Sequence, residues 1–229
     1  MKIGGFQKVS LIDYPGAISA VVFSQGCNFK CGYCHNPELV DPGRFSPCID
    51  EKKIMEFLAT RRGKLDAVSI TGGEPTIQKD LIPFVKKIKK MGFAVKLDTN
   101  GSQPRVIKEL LKAKLLDFIA MDIKAPWEKY ADITGVSADT QSIQESIKLI
   151  LRAKINHEFR TTVVESRLNT NDIMKISKII SGAQSYVLQK FITTKVVDKK
   201  YLKEKTLSDE KLEQLKKRIE KEIAYVIVR

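Results

Sequence analysis

Residues 20–34 read AVVFSQGCNFKCGYC and place three cysteines directly after a short apolar run. The run predicts a buried strand, so Cys27, Cys31 and Cys34 lie on the loop that leaves it. Their C-x3-C-x2-C spacing suits three irons of a cubane iron–sulfur cluster, which normally has four cysteine ligands. An iron without a protein ligand is open to a small molecule, which indicates a reactive cluster rather than a passive electron carrier.

The same cysteines permit other interpretations. A structural zinc site needs four ligands, and His35 or Cys48 is a candidate for the fourth. Zinc sites usually contain two C-x2-C pairs, however, and the second pair is absent here. Four cysteines in 229 residues do not form a dense disulfide framework. Cys48 is expected to be a small, largely buried side chain.

Composition indicates an ordinary globular protein. Hydrophobic residues make up 43% of the chain and charged residues 29%. No run of 18 apolar residues occurs, so no membrane span is expected, and the polar residues near the start argue against a signal peptide. We therefore expect a cytoplasmic protein with a single domain over 1–229. Its core covers about 17–192, and a C-terminal extension covers about 193–229.

The net charge of +13 is concentrated in three basic stretches, at 86–90, 195–205 and 216–218. The first and last alternate with apolar and acidic residues in helical patterns, so they are interpreted as solvated helix faces. A basic surface also suits an acidic protein partner. Nucleic acid is not expected as a partner.

Short apolar runs alternate with helical patterns along the chain. Strands are predicted over 17–24, 67–70, 93–97, 116–123, 159–164 and 186–188, with a helix after each of the first five and a final helix and strand over 208–222 and 224–228. Regular β-then-α alternation predicts a parallel sheet covered by helices. Six units are fewer than the eight of a closed barrel. The predicted α/β fold is a partial, open (β/α)6 TIM-like barrel with a C-terminal extension.

Chemically unusual residues follow the predicted strands. Thr71–Pro75 reads TGGEP after the second strand, Asp98–Gly101 reads DTNG after the third, and Asp122–Lys124 closes the fourth. Arg160 lies on the fifth strand, and Gln189 follows the sixth. Turn chemistry explains each of these alone. Active sites of parallel barrels lie at the carboxyl ends of the strands, so their shared position indicates a site.

The cysteine motif followed by Gly72-Gly73-Glu74 resembles the radical S-adenosylmethionine (SAM) superfamily, over about residues 8–192. Further motifs are similar to those of glycyl-radical-enzyme activases, above all the activating proteins of anaerobic ribonucleoside-triphosphate reductase. Pyruvate formate-lyase activating enzyme is a near relative. These motifs are Asp13–Gly16, Cys34–Asn36, Asp98–Gly101, Asp122–Lys124 and Arg160–Val164.

The resemblance implies one [4Fe–4S] cluster, held by the three cysteines, with SAM on the open iron. Gly72 and Gly73 are implied to admit the methionine moiety, because a Cβ there would collide with it. A monovalent cation is implied at Asp98, Thr99 and Asp122. The implied cofactor-binding residues are Tyr33, Asn36, Gly72, Gly73, Glu74, Asp98, Thr99, Asn100, Lys124, Arg160 and Gln189.

The implied reaction is reductive cleavage of SAM to methionine and a 5′-deoxyadenosyl radical. The radical then removes a hydrogen from a glycine of a partner glycyl radical enzyme, with anaerobic ribonucleoside-triphosphate reductase as the first candidate. A flavodoxin- or ferredoxin-type protein is the implied electron donor. Gln189 lies where pyruvate formate-lyase activating enzyme has a histidine that contacts the cofactor.

Three other functions remain open at this point. The chain is also compatible with a radical SAM enzyme acting on a small molecule, similar to 7-carboxy-7-deazaguanine synthase. A zinc-binding domain associated with nucleic acid is the alternative from a different class. A simple electron-transfer protein is the third, and the GGE motif argues against it.

Overall fold

The computed structural model describes residues 1–229 and contains one sheet of eight strands in the order of the sequence. The first strand is antiparallel to the second, and all later neighbours are parallel. The carboxyl ends of β2 to β8 therefore meet at one edge of the sheet. The strands are β1 Ile3–Ser10, β2 Ser19–Ser24, β3 Ala67–Gly72, β4 Ala94–Thr99, β5 Phe118–Asp122, β6 Asn156–Val163, β7 Ser185–Lys190 and β8 Tyr225–Val228.

Helices connect the parallel strands and bury one apolar stripe each. Asp50 caps α2, and Asn169 and Asp172 form a capping box at the start of α7. The stripes and the strands belong to one hydrophobic cluster of 49 buried residues. The helices are α1 Pro37–Val40, α2 Glu51–Ala59, α3 Leu81–Lys90, α4 Pro104–Lys112, α5 Tyr130–Thr134, α6 Thr140–Arg152, α7 Thr170–Ile179 and α8 Asp209–Ile219.

The C-terminal extension joins the same core. Leu212, Leu215 and Ile219 of α8 are buried in the hydrophobic cluster, and Val226 of β8 pairs with Tyr186 of β7. The outer edges of β1 and β8 have no strand partner, so the barrel is open between them. No helix has both the length and the apolar character needed to cross a membrane.

The predicted α/β class and open parallel barrel are confirmed. Each predicted strand is present, with ends within three residues of those expected. β1 was not predicted: it contains two glycines, pairs with β2 in an irregular register and exposes Gln7, Lys8 and Val9. Its weak alternation therefore gave no strand signal. The short helices α1 and α5 were also missed, because one turn carries too few residues to show a period.

Candidate active site

A cavity of about 300 Å³ opens at the carboxyl ends of the parallel strands. This volume is in the range of small-molecule sites. The structure brings every predicted site residue to its wall, while their individual contacts with cofactors remain predictions. These residues are Cys27, Cys31, Tyr33, Cys34, Asn36, Gly72, Gly73, Glu74, Asp98, Thr99, Asn100, Asp122, Lys124, Arg160 and Gln189.

The cysteine loop is held in place by the chain that follows β7. The backbone N–H of Val197 donates to the carbonyl of Cys34 at 3.1 Å, and that of Asp198 donates to the carbonyl of Gly32 at 2.9 Å. Gly32 leaves room for the aromatic ring of Tyr201, because a Cβ there would lie 2.5 Å from it. The C-terminal extension thus contributes to the shape of the site.

The three cysteines carry free thiols. Burial raises the pKa of Cys27 to about 12 and that of Cys31 to about 11, and it also raises the pKa of Cys34. The ammonium group of Lys124 acts in the opposite direction on all three. Such thiols are neutral near pH 7 and lose their protons when they bind a metal. Their chemistry is that of metal ligands rather than of free nucleophiles.

The glycine pair after β3 crosses the start of the cysteine loop at backbone distance. A Cβ on Gly72 would lie 2.4 Å from the Ser24 nitrogen, and a Cβ on Gly73 would lie 2.0 Å from the Gly26 oxygen. The φ angle of Gly72 is 114°, which also favours glycine. Close packing within the chain thus explains why both positions are glycine, in addition to the predicted approach of a methionine moiety.

Glu74 joins the ends of β3 and β4. Its buried carboxylate accepts hydrogen bonds from the hydroxyl of Thr99 at 2.7 Å and the backbone N–H of Asn100 at 2.6 Å. It also accepts bonds from the backbone N–H and the hydroxyl of Thr76. Burial raises the pKa of Glu74, and these hydrogen bonds act to lower it. Both carboxylate oxygens are thus engaged within the chain, and a contact between Glu74 and SAM stays a prediction.

Two aspartates and three cations form a charged cluster along β4, β5 and β6, which we call the charge ladder: Lys96, Asp98, Asp122, Lys124 and Arg160. Arg160 binds Asp98 at 3.0 Å and Asp122 at 2.8 Å. Burial acts to raise the pKa of each aspartate. Arg160, aided by Lys96 at Asp98 and by Lys124 at Asp122, holds each pKa below the ordinary 3.8. Both carboxylates are therefore ionised near neutral pH.

Gln189 and His35 line the cavity, whereas Cys48 does not. Gln189 lines the cavity, and its side-chain oxygen lies 3.5 Å from the Thr162 hydroxyl. The Nε2 atom of His35 lies 2.7 Å from the Ile192 carbonyl. The expectation for Cys48 was wrong: it is exposed, and its thiol lies 3.3 Å from the side-chain oxygen of Gln25.

Lys96 was not predicted as a site residue, and Asp13 was noted only as part of a motif similar to those of the activases. Lys96 belongs to the charge ladder, and Asp13 lines the cavity from the loop after β1. A signal for Lys96 was present, because residues two apart on a strand share one face and Asp98 was already singled out. The position of Asp13 depends on β1, which was not predicted.

The fold and the site together define an enzyme with an open parallel barrel and a three-cysteine loop at the carboxyl ends of its strands. Residues 21–177 match the family model described as the radical SAM superfamily. The chain belongs to this family. The family's cofactors are a [4Fe–4S] cluster and SAM.

Curated relatives include proteins of several activities. A Methanocaldococcus jannaschii protein, named as a candidate glycyl-radical enzyme activating enzyme, is 36% identical over 99% of this chain and 95% of its own. Pyruvate formate-lyase-activating enzyme of Clostridium pasteurianum is 28% identical over 84% of this chain and 82% of its own. The 7-carboxy-7-deazaguanine synthase of Thermococcus kodakarensis is 27% identical over 72% of this chain and 70% of its own.

Solved structures show the same fold. Streptococcus suis SuiB, bound to its precursor peptide SuiA, superposes with a TM-score of 0.70 at 16% identity. The match covers 90% of this chain and 47% of SuiB. This likeness extends to the fold alone.

The residues present fit the family's cofactors. Three thiols with raised pKa values face one cavity, and this donor set suits iron coordination. His35 and Cys48, the candidates for a fourth zinc ligand, make the other contacts described above. No three His, Cys, Asp or Glu side chains converge on a site for a single metal ion. The cationic groups of Lys124 and Arg160 at the same cavity suit the carboxylate of an amino acid such as the methionine part of SAM.

Proposed function

We propose that this protein is a glycyl-radical enzyme activating enzyme, which uses SAM to place a radical on a glycine of a partner protein. The observation that carries the proposal is the likeness to the Methanocaldococcus jannaschii candidate, which extends over nearly all of both chains. The open barrel supports it. Because β1 and β8 have free edges and the cavity opens to the surface, a loop of another protein has a route to the site.

A [4Fe–4S] cluster held by the three cysteines would supply the electron for reductive cleavage of SAM to methionine and a 5′-deoxyadenosyl radical. The roles of the chain's residues are those predicted from the resemblance. Cys27, Cys31 and Cys34 are proposed to hold the cluster, and Lys124 and Arg160 to contact the carboxylate or the ribose of SAM. The side chains of Phe23, Phe29 and Val40 add apolar surface to the cavity wall, which limits access of water to a reactive radical.

Other residues of the cavity wall are proposed to surround SAM. Tyr33 and Asn36 are proposed to face the adenosine, with Gln189 on the wall formed by β7. Gly72, Gly73 and Glu74 are proposed to face the methionine, with Asn100 beside them. The monovalent cation that the resemblance implies at Asp98, Thr99 and Asp122 is not included in this proposal.

The proposed partner is anaerobic ribonucleoside-triphosphate reductase, and the proposed electron donor is a flavodoxin- or ferredoxin-type protein. The net charge of +13 supports an acidic donor, because opposite charges speed encounter between proteins. A cytoplasmic location remains a prediction.

The test is anaerobic reconstitution with iron and sulfide, reduction with dithionite and addition of SAM. Release of 5′-deoxyadenosine is measured first. Electron paramagnetic resonance then looks for a glycyl radical on the anaerobic ribonucleotide reductase of the same organism. Cys27→Ala is expected to abolish both signals, and Cys48→Ala, at an exposed position, is the matched control. Release of 5′-deoxyadenosine without a glycyl radical on this reductase would contradict the proposed partner and leave the family assignment intact.

A second candidate function is a radical SAM reaction on a small molecule. The likeness to 7-carboxy-7-deazaguanine synthase favours it, since it covers more than two thirds of both chains. The discriminating measurement is the rate of 5′-deoxyadenosine release with a panel of purine-like compounds. A substrate-dependent rise in that rate, together with a new product, would favour the second candidate.

A further inference from the structure

Lys96 is a buried lysine inside the barrel. Its side chain is 3% exposed, and its ammonium nitrogen lies 2.5 Å from Oδ1 of Asp98. Burial of an ammonium group is costly unless a carboxylate pairs with it, so Lys96 can be buried here because it pairs with Asp98. Lys96 has no role in the proposed binding of the cluster or of SAM.

Every carboxylate oxygen of Asp98 and Asp122 has a cationic partner from the chain. Asp98 binds Lys96 through Oδ1 and Arg160 through Oδ2, at 2.5 and 3.0 Å. Asp122 binds Arg160 through Oδ1 and Lys124 through Oδ2, at 2.8 and 2.9 Å. An alkali-metal ion at these aspartates would have to share each oxygen with the ammonium or guanidinium group already bound to it, or displace that group.

The third residue predicted as a cation ligand is also engaged. The Thr99 hydroxyl donates to Glu74 at 2.7 Å and accepts a hydrogen bond from the backbone N–H of Gly101 at 3.1 Å. One further acid belongs to this region, since Glu158 lies 3.9 Å from both Arg160 and Arg229. With Glu158 included, three carboxylates face four cations, Lys96, Lys124, Arg160 and the more exposed Arg229, so no metal ion is needed to balance the acids.

We infer that Lys96 is a positioning residue that replaces a monovalent metal ion, so that this protein binds SAM without one. An ammonium group has the charge of K⁺ and a similar radius. Lys96 holds Asp98 in place, Asp98 orients Arg160, and Arg160 lies at the SAM cavity. This inference rests on the proposed binding of SAM and is independent of the identity of the partner protein.

The test measures SAM affinity by calorimetry on the anaerobically reconstituted holoenzyme, in KCl, NaCl or choline chloride at equal ionic strength. Wild-type affinity is expected to agree within about twofold in the three salts. Lys96→Met keeps the apolar stem and removes the charge. We expect it to bind SAM at least roughly tenfold more weakly in choline chloride, because a buried carboxylate loses one partner. K⁺ or Na⁺ is expected to restore part of that affinity.

Two further variants complete the design. Lys96→Arg keeps the positive charge and is expected to keep salt independence, and Lys52→Met removes an exposed lysine as the matched control. If Lys96→Met does not fold, the SAM affinity of the wild type in the three salts still shows whether binding requires a metal ion. Wild-type binding that requires K⁺ or Na⁺ would overturn the inference, as would a folded Lys96→Met protein with wild-type affinity in choline chloride. Absence of SAM binding in every salt would overturn the inference together with the proposed function.

Discussion

The carboxylate of Glu74 accepts a hydrogen bond from the backbone N–H of Asn100, with 2.6 Å between the two atoms. This bond joins the loop after β3 to the loop after β4, and it is supported by the hydroxyls of Thr76 and Thr99. Glu74 is 1% exposed, so water does not replace these contacts when they are lost. The side chain therefore fixes two walls of the cavity relative to each other.

Glu74→Gln is expected to destabilise the metal-free protein by about 1–3 kcal/mol. The amide nitrogen of glutamine donates rather than accepts, so at least one buried donor around it is left unsatisfied. Urea denaturation monitored by circular dichroism gives the free energy of unfolding. Glu56→Gln, at an exposed position on α2, is the control and should change it little. Equal stability of both variants would contradict the structural role of Glu74.

The charge ladder predicts a loss of stability in acid. The pKa values of Asp98 and Asp122 are lowered in the folded state, so unfolding is accompanied by proton uptake as the pH falls. Their contribution is fully present above the ordinary value near pH 4 and is lost progressively below it. The free energy of unfolding of the metal-free protein, measured in urea from pH 7 to pH 2.5, is expected to decline over that range.

Asp122→Asn separates this effect from general acid denaturation. The variant is expected to be less stable at pH 7, because Lys124 and Arg160 lose a buried partner. Its further decline in acid should be shallower than that of the wild type. Asp209→Asn removes an exposed carboxylate as the control. A decline as steep as that of the wild type would show that Asp122 does not supply the acid sensitivity.

The sequence predicted the parallel sheet because its strands are continuous apolar runs that recur between helical patterns. It also placed the polar motifs correctly at one edge, since strand ends in such a sheet are set by topology. It did not reveal the contacts of Gly73, because its neighbour Gly26 is distant in sequence and a glycine pair is common in turns. Lys96 was missed although Asp98, two residues along the same strand, had been singled out, because a single charge in an apolar strand does not by itself reveal a buried ion pair.

The three cavity cysteines are expected to react slowly with alkylating reagents in the metal-free protein. Burial raises the pKa of Cys27 to about 12 and of Cys31 to about 11, so very little thiolate is present at pH 8. The thiolate is the reactive form. Cys48 is exposed and provides the internal reference. Mass spectrometry after timed exposure to iodoacetamide should show Cys48 modified at least roughly tenfold faster. Comparable rates at all four positions would contradict the burial of the cavity thiols.

Gly73→Ala tests whether the glycine is required by the protein itself or only by a bound cofactor. The new Cβ would lie 2.0 Å from the carbonyl oxygen of Gly26, which belongs to the backbone at the start of the cysteine loop. The two loops would have to separate, at a cost of about 1–3 kcal/mol or more. We therefore expect a lower melting temperature for the metal-free variant and less iron after reconstitution. Gly43→Ala is the control, since its Cβ would lie 3.5 Å from Asp41. If Gly73→Ala melts like the wild type, the close approach to Gly26 is not what requires glycine, and the requirement belongs to the cofactor.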